Sequence, residues 1–304
     1  RAIGKALIDE LHRSPKIDFR CPSRAERIHI SPALNNVTTE TTDGTVSSSL
    51  VVLADGGRSP ATTMIGVNKK IKKYSEHALV GIVGVDRDHH GTAFERFTEH
   101  GPLALLPLVN QGFALAWTLP EHDAKEMTAL PTEAFLSLLQ AAFGDRAGFF
   151  TTCNQLTTYP LSQVKIESPV SDRCVAVGNA AHIVHPVAGQ GFNLGLRDIA
   201  CLSEDIANAT LENADIGETS FLQRYASNRR DQTRRVLRFT DGLLQLFANE
   251  IPGLRVARTL GLSLIEIMPP AKRFLLRRTV GIADPCLDWL AGFRYDLNDE
   301  QALL

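Results

Sequence analysis

The sequence lacks any dominant charge: Lys+Arg 32 against Asp+Glu 34 leaves a formal net charge of −2. No global basic field is present to draw nucleic acid, so no nucleic-acid partner is expected. No apolar run approaches the roughly 18–20 residues of a membrane-spanning helix, and the opening residues lack the form of a secretory signal. Cysteine is sparse. Cys21, Cys153, Cys174, Cys201 and Cys286 are scattered, odd in number and form no C-x-x-C. That argues against a disulfide framework or a cysteine-built zinc site, and fits reduced side chains of a cytosolic protein. Low-complexity tracts and internal repeats are also missing. What is there, 44% hydrophobic and 22% charged residues, is ordinary globular usage, and 304 residues leave room for about two domains.

The chain opens Arg1-Ala-Ile-Gly-Lys-Ala-Leu-Ile-Asp-Glu-Leu11, with Ile3, Leu7, Ile8 and Leu11 at helical spacing and neither Met nor a capping residue ahead. A helix entered in mid-pattern predicts a chain that lacks its natural N-terminus. Short strands are expected at 27–30 and 37–41, with a hairpin-type turn at Asp43-Gly44. Leu50-Val-Val-Leu-Ala54 is continuously apolar, as in a strand buried on both faces of a parallel or mixed sheet, and ends in Asp55-Gly56-Gly57-Arg58-Ser59-Pro60. Four more strands are expected at 78–86, 92–98, 103–109 and 113–119, with a tight turn at 110–112. In the last of these, Phe113, Leu115, Trp117 and Leu119 share one face, and Ala114, Ala116 and Thr118 the other. The large face wants a core; the small face leaves room for a helix or a ligand. Residues 132–143 predict an amphipathic helix capped by Thr132 and closed by Gly144. Residues 174–177 predict a second short buried strand, then a glycine-rich stretch and a helix over about 191–209. Beyond Glu218 the pattern is helical, broken near Pro252 and at Pro269-Pro270.

The densest chemical signal runs from Gly178 to Gly195, with glycines at 189, 191 and 195 between a strand and a helix. Glycine lets backbone approach a ligand closely, and a helix N-terminus offers unpaired N–H groups and partial positive charge. The pair favours a phosphate, or a ring edge that gains negative charge. Gly189-Gln-Gly-Phe-Asn-Leu-Gly195 is one residue too long for G-x-G-x-x-G, so it is not the ordinary dinucleotide fingerprint. A glycine-rich connection that merely lets helix and strand pack is the plainer alternative. Asp55-Gly56, like Gly178-Asn179, follows a buried strand, and two such strand ends could meet at one crevice. His182 and His185 stand three apart, but no further ligands follow at zinc spacing, so hydrogen bonding or pocket lining is expected instead. Arg224, Arg229, Arg230, Arg234, Arg235 and Arg238 share one helix with Asp231 as the main counter-charge, which reads as a solvated face or, alternatively, a surface for a membrane or partner protein.

These residues resemble a known family. Ala54-Asp-Gly-Gly-Arg-Ser59 resembles the Asp-Gly motif of the flavin-dependent aromatic hydroxylases, the single-component FAD monooxygenases. Val177-Gly-Asn-Ala-Ala-His182 and His185-Pro-Val-Ala-Gly-Gln-Gly-Phe-Asn-Leu-Gly-Leu-Arg-Asp198 resemble their second FAD-binding motif. Tyr159-Pro-Leu161, Thr240-Asp-Gly-Leu-Leu-Gln-Leu-Phe-Ala-Asn249 and the segment from Pro270 to Gly281 resemble the ubiquinone-biosynthesis branch, and the similarity runs over essentially the whole chain. Two departures stand out. Where the family usually has Gly-Asp this chain has Gly178-Asn179, as in the methoxyphenol-hydroxylase branch, and an amide can still bond a ribityl hydroxyl. The family also opens with a βαβ unit carrying G-x-G-x-x-G, which is not in this sequence.

The resemblance implies a mixed α/β (α+β) fold. A truncated FAD-binding domain (1–67 and 171–216) would be interleaved with a substrate domain on a mixed or antiparallel sheet (68–170), followed by a C-terminal helical region (217–304). It implies FAD as cofactor and NAD(P)H as co-substrate, the flavin activating oxygen for transfer to the ring of a polyprenylated phenol. Asp55, Gly56, Gly178 and Asn179 would bind the ribityl–diphosphate region. Pro186 would lie against the flavin ring, with Gly189, Gln190, Gly191, Phe192 and Asn193 at its charged edge. The protein itself need supply no acid or nucleophile. Peripheral contact with the inner face of a membrane and membership of a ubiquinone-biosynthesis complex are implied partners. The fragment as it stands is expected to be inactive. The alternative is a non-catalytic interaction or scaffold subunit; a halogenase or prenyl reductase of the same fold is a third reading, and the lysine-bearing motif of a halogenase is not found.

Overall fold

The computed structural model describes residues 2–31, 35–57, 60–98, 100–109, 112–186 and 189–248, with the single positions 268 and 270. The expected breaks near Pro252 and Pro269, and most of the turn at 110–112, lie outside the described residues. In chain order the first elements are α1 (Ala2–Arg13), β1 (Ala25–Ser31), β2 (Asn36–Thr41), β3 (Gly44–Ser48), β4 (Val51–Leu53), α2 (Ala61–Met64) and β5 (Lys69–Val85). There follow β6 (Phe94–Phe97), β7 (Pro102–Pro107), β8 (Phe113–Pro120), α3 (Glu121–Ala129), α4 (Thr132–Phe143) and β9 (Phe150–Ile166). The last are β10 (Val170–Ser171), β11 (Cys174–Ala176), β12 (His182–Ile183), α5 (Gln190–Leu211) and α6 (Thr219–Ala248).

Three sheets result: β1-β2-β3, β10-β11-β4, and a six-stranded sheet ordered β12-β9-β5-β8-β7-β6. The six-stranded sheet is antiparallel throughout, whereas β11 runs parallel to β4. The alternation of β8 decides its core. Phe113, Leu115, Trp117 and Leu119 are all buried, and Phe135, Leu139 and Phe143 from one stripe of α4 join the same cluster. Ala114 and Ala116 on the opposite face are half-buried.

Besides the short α2, β10 and β12, two longer elements escape the sequence pattern. β9 is a strand of 17 residues paired along β5, but its alternation is broken where the register shifts between Lys73 and His77, Val80 and Ile82, and Gly84 and Val85. The shifts at Val80/Ile82 and Gly84/Val85 each put one extra residue into β9 and move its side chains to the other face, so its period of two is broken. α3 carries little apolar periodicity and buries only Ala124. The expected Thr132 cap is corrected: Pro131 occupies the N-cap, no side chain caps the helix, and Thr132 is its first helical residue. Gly144 does close α4, at φ 83°.

Helix α4 offers an internal comparison. Phe135 is 1% exposed and Leu138 45% exposed. Phe135→Ala should cost about 3–5 kcal/mol of unfolding free energy in urea, and Leu138→Ala well under about 1 kcal/mol. Equal losses would show that the core does not lie on the Phe135 face.

Candidate functional site

Strands β4 and β11 lie side by side and parallel, with Val51, Val52 and Leu53 opposite Cys174, Val175 and Ala176. Both end together, and the Val177 amide still donates to the Leu53 carbonyl at 3.0 Å. The two following turns, Asp55-Gly56-Gly57 and Gly178-Asn179, are therefore delivered to the same place, as the paired strand ends anticipated. Their approach is tight. A Cβ at Gly57 would sit 2.5 Å from the Asn179 carbonyl oxygen, and Gly57 has φ +74°. Asp55 Oδ1 accepts the Gly57 amide at 2.8 Å, which sets the turn.

Helix α5 starts at the same crevice. Gly189 is its N-cap in the left-handed region (φ 60°, ψ 22°), and no side chain caps the helix. The positive end of a 22-residue helix is thus set at this crevice. Further along, Gly195 faces Gly178: a Cβ on Gly195 would lie 3.3 Å from the Gly178 Cα. The plainer reading of the glycines is true of Gly195, which permits helix and turn to touch. It does not explain Gly189, whose own Cβ would meet nothing within 4 Å.

The resulting cavity, about 550 Å³, is walled by Ala54, Gly56, Val177, Gly178, Asn179, Ile183, Val184, Pro186, Gly189, Gly191, Phe192, Gly195, Leu196 and Ile199. Phe192, Leu196 and Ile199 form an i, i+4, i+7 stripe on α5 that is 67%, 42% and 51% exposed. An apolar stripe left open along a concave wall is a candidate contact surface. Seven of the ten residues singled out in the sequence line this cavity: Gly56, Gly178, Asn179, Pro186, Gly189, Gly191 and Phe192. The other three do not. Asp55 is exposed and shapes its turn, Gln190 is 3% exposed inside the first turn of α5, and Asn193 is half-buried.

A buried ionic knot fixes these parts to one another. Asp198, on α5, accepts the Gly178 amide at 2.9 Å, His182 Nε2 at 2.6 Å and Arg229 Nε at 2.8 Å. Its side chain is 3% exposed, as is that of Arg229, and that of His182 is 5% exposed. Arg229 also donates to the Leu194 carbonyl at 3.4 Å, so turn, β12, α5 and α6 are joined through one carboxylate. Burial pushes the Asp198 pKa up, but the His182 hydrogen bond and charge, the Arg229 charge and the Gly178 amide bring it below the ordinary carboxylate value. The sequence signals here were partial. Arg229 counted among a solvated arginine face, and that is corrected: it is buried against Asp198, while Arg224, Arg230, Arg234, Arg235 and Arg238 are exposed.

His185 is 1% exposed, with the Tyr74 ring edge-on at 5.3 Å. Burial lowers its pKa below the ordinary imidazole value, against the opposing charges of Glu76 and Asp241. Burial likewise pushes the Cys174 thiol up to about 11, so this cysteine packs rather than reacts.

Asp198→Asn should destabilise the protein by about 3–5 kcal/mol near neutral pH, because it leaves Arg229 buried without its counter-charge. The sign with pH follows from the lowered Asp198 pKa. Its contribution is present above the unfolded value of about 3.9 and is lost as pH falls through the folded one. Urea unfolding at pH 7 and at about pH 3, below the unfolded value, should therefore show the gap between the two proteins narrowing on acidification. A gap that widens would contradict the ion-pair assignment.

Known proteins resemble this chain in both sequence and fold. The family model described as "FAD binding domain" matches residues 5–240. The chain is 36% identical over 282 residues to the ubiquinone hydroxylase UbiL of Rhodospirillum rubrum, covering 92% of this chain and 65% of that protein. It is 28% identical over 281 residues to 3-demethoxyubiquinol 3-hydroxylase of Escherichia coli, covering 92% and 71%. The chain thus spans about two thirds of the length of these relatives. Among solved structures, p-nitrophenol 4-monooxygenase PnpA from Pseudomonas putida superposes with a TM-score of 0.73 at 18% identity, covering 91% of this chain and 71% of that one. A flavin-dependent halogenase, CmlS, shares the fold at a TM-score of 0.63 and 18% identity, covering 81% of this chain and 45% of that one. The match covers most of the chain, which belongs to the FAD-binding-domain family and has ubiquinone-biosynthesis hydroxylases among its relatives.

Proposed function

We propose that the crevice holds the flavin ring of FAD and that the protein acts as a monooxygenase on a polyprenylated phenol in ubiquinone biosynthesis, with NAD(P)H and O₂. The observation that carries this reading is the uncapped N-terminus of α5 opening onto an apolar, glycine-walled cavity. A flat aromatic ring with one edge that becomes anionic on reduction fits such a wall: apolar stripe along the ring, helix N–H groups at the edge. Gly191 fits the same picture, since a Cβ there would meet Val184 Cγ2 at 3.4 Å and narrow the cavity. When bound, FAD supplies the redox chemistry.

The chain's own residues have simpler tasks. The Gly189 amide is donated to the Pro186 carbonyl at 2.9 Å and fixes the loop, so Gly191 is the glycine that would present a backbone N–H group; Pro186, Ile183 and Val184 on one side and Phe192, Leu196 and Ile199 on the other exclude water from the ring. Gly56, Gly178 and Asn179, with Asp55 setting its turn, would meet the ribityl–diphosphate region. An amide at 179 can donate and accept where the family more often carries a carboxylate. The division into a flavin-binding part (1–67 and 171–216), a substrate-side part (68–170) and a helical part from 217 onwards belongs to the same proposal. It is supported by the strand order, in which β4 and β11 share one sheet and β5 to β9 another. Among the described residues no helix is long and apolar enough to cross a membrane. Peripheral contact therefore has to come from the surface, the basic C-terminal region being the proposed element.

Titration of the purified chain with riboflavin and with FAD, followed by flavin fluorescence, tests the reading. Saturable binding of both ligands is expected, and Gly191→Val should weaken it by about tenfold or more while leaving the circular dichroism spectrum unchanged. Failure of either ligand to bind, or identical affinity in Gly191→Val, would contradict the placement of the ring. Liposome flotation with and without residues 250–304 tests the membrane contact, and equal recovery would rule it out.

A further inference from the structure

A second cavity, about 340 Å³, lies on the opposite side of the segment that walls the crevice. Its position follows from strand register. His182 on β12 pairs with Lys165 on β9, and Lys165 pairs with Lys70 on β5, so the three stand in one row across three strands. All three line the cavity, and α6 closes it with Ala226, Arg229, Arg230, Thr233 and Arg234, a single helix face by their spacing. Like charges directly opposite on a sheet are destabilising, so Lys70 beside Lys165 needs a compensating partner. The lining holds one acid, Glu167, and it pairs with Lys70. Arg229 is neutralised by Asp198. Lys165, Arg230 and Arg234 have no ion pair within 4 Å among the described residues. His182 adds a buried Nδ1 without a hydrogen-bond partner.

A solvated basic face would spread such charges over water. Here they converge on a concavity whose floor (Ile166, Ala181 and Ala226) is buried and apolar, where charge interactions are stronger than in water. Three cations without an ion pair within 4 Å, of which only Lys165 feels the charge of Glu167, ask for more than one negative charge, which a phosphate group supplies and a carboxylate does not. We propose that this cavity binds the phosphate group of a small molecule, held by Lys165, Arg230 and Arg234 with the Thr233 hydroxyl as a further donor. The proposal does not rest on the flavin reading, since none of these residues lines the crevice. The two sites share a wall, however. Ala181 and His182 face the phosphate cavity, Ile183 and Val184 face the crevice, and Asp198 bonds both His182 and Gly178. The phosphate has two sources that fit the surroundings: a soluble nucleotide, or a lipid headgroup presented at a membrane.

Isothermal titration of the full chain with inorganic diphosphate at low salt tests the site. Saturable binding that weakens with added salt is expected. Lys165→Gln and Arg234→Gln should each weaken it about tenfold or more. Lys165→Arg should retain binding, and Lys16→Gln, an exposed cation elsewhere, should leave it unchanged. Lys165 and Arg234 are exposed, so the variants are expected to fold; thermal melts check this, and Arg230→Gln provides a second variant. Displacement of NADPH by diphosphate would assign a soluble nucleotide. Flotation with phosphatidate vesicles that is lost in Arg234→Gln would assign a headgroup. Absence of diphosphate binding, failure of both carriers, or an equal loss in Lys16→Gln would overturn the proposal.

Discussion

One buried carboxylate holds the described structure to its proposed purpose. Asp198 bonds the turn after β11, the ring of His182 and the guanidinium of Arg229, all inside a region almost without solvent. A buried charge survives only when paired and hydrogen-bonded. Removing one partner is therefore costly, and the geometry that the pairing fixes is correspondingly sharp. That geometry is the relation between the Gly178 turn and the start of α5, the two walls of the crevice. Tyr225, buried beside the knot on α6, has its phenol pKa raised well above the ordinary value by burial, with the Asp198 charge adding to the effect.

The crevice then follows from backbone rather than from side-chain chemistry. Parallel pairing of β4 and β11 brings two turns to one level, and glycine at 57 lets them meet at a distance no Cβ would allow. Gly189 starts α5 in the left-handed region, leaving its N–H groups free of any side-chain cap. Apolar side chains of α5 stay open along the cavity instead of being packed away. None of these features is an acid, base or nucleophile. The proposed role, binding and orienting a cofactor and leaving the bond-making to it, asks for none of them.

Much of this was legible in the residues. The apolar runs at 50–54 and 174–177, each leading into a glycine turn, announced the paired strand ends, although the expected burial of 50–54 on both faces is corrected, since Val52 is 43% exposed and only Leu53 is buried; the glycines at 189 and 191 announced the helix start. Strand β8 was readable because its large and small faces alternate without a break. Strand β9 was not, because bulges against β5 destroy the alternation on which such reading depends. Asp198 was visible as the end of a motif, but its role was hidden. Its partners lie 16, 20 and 31 residues away, and nothing local in a run of arginines says which one is buried. The same long-range pairing gathered Lys70, Lys165 and His182 into one row, which the sequence scatters over three segments.

The most direct measurement is a crystal structure of the chain grown with FAD. The flavin ring should lie between Pro186 and the Phe192–Leu196–Ile199 stripe, with one edge against the Gly191 amide at the start of α5. Flavin bound elsewhere, with the crevice open in the same crystal, would contradict the placement from which the proposed function is built.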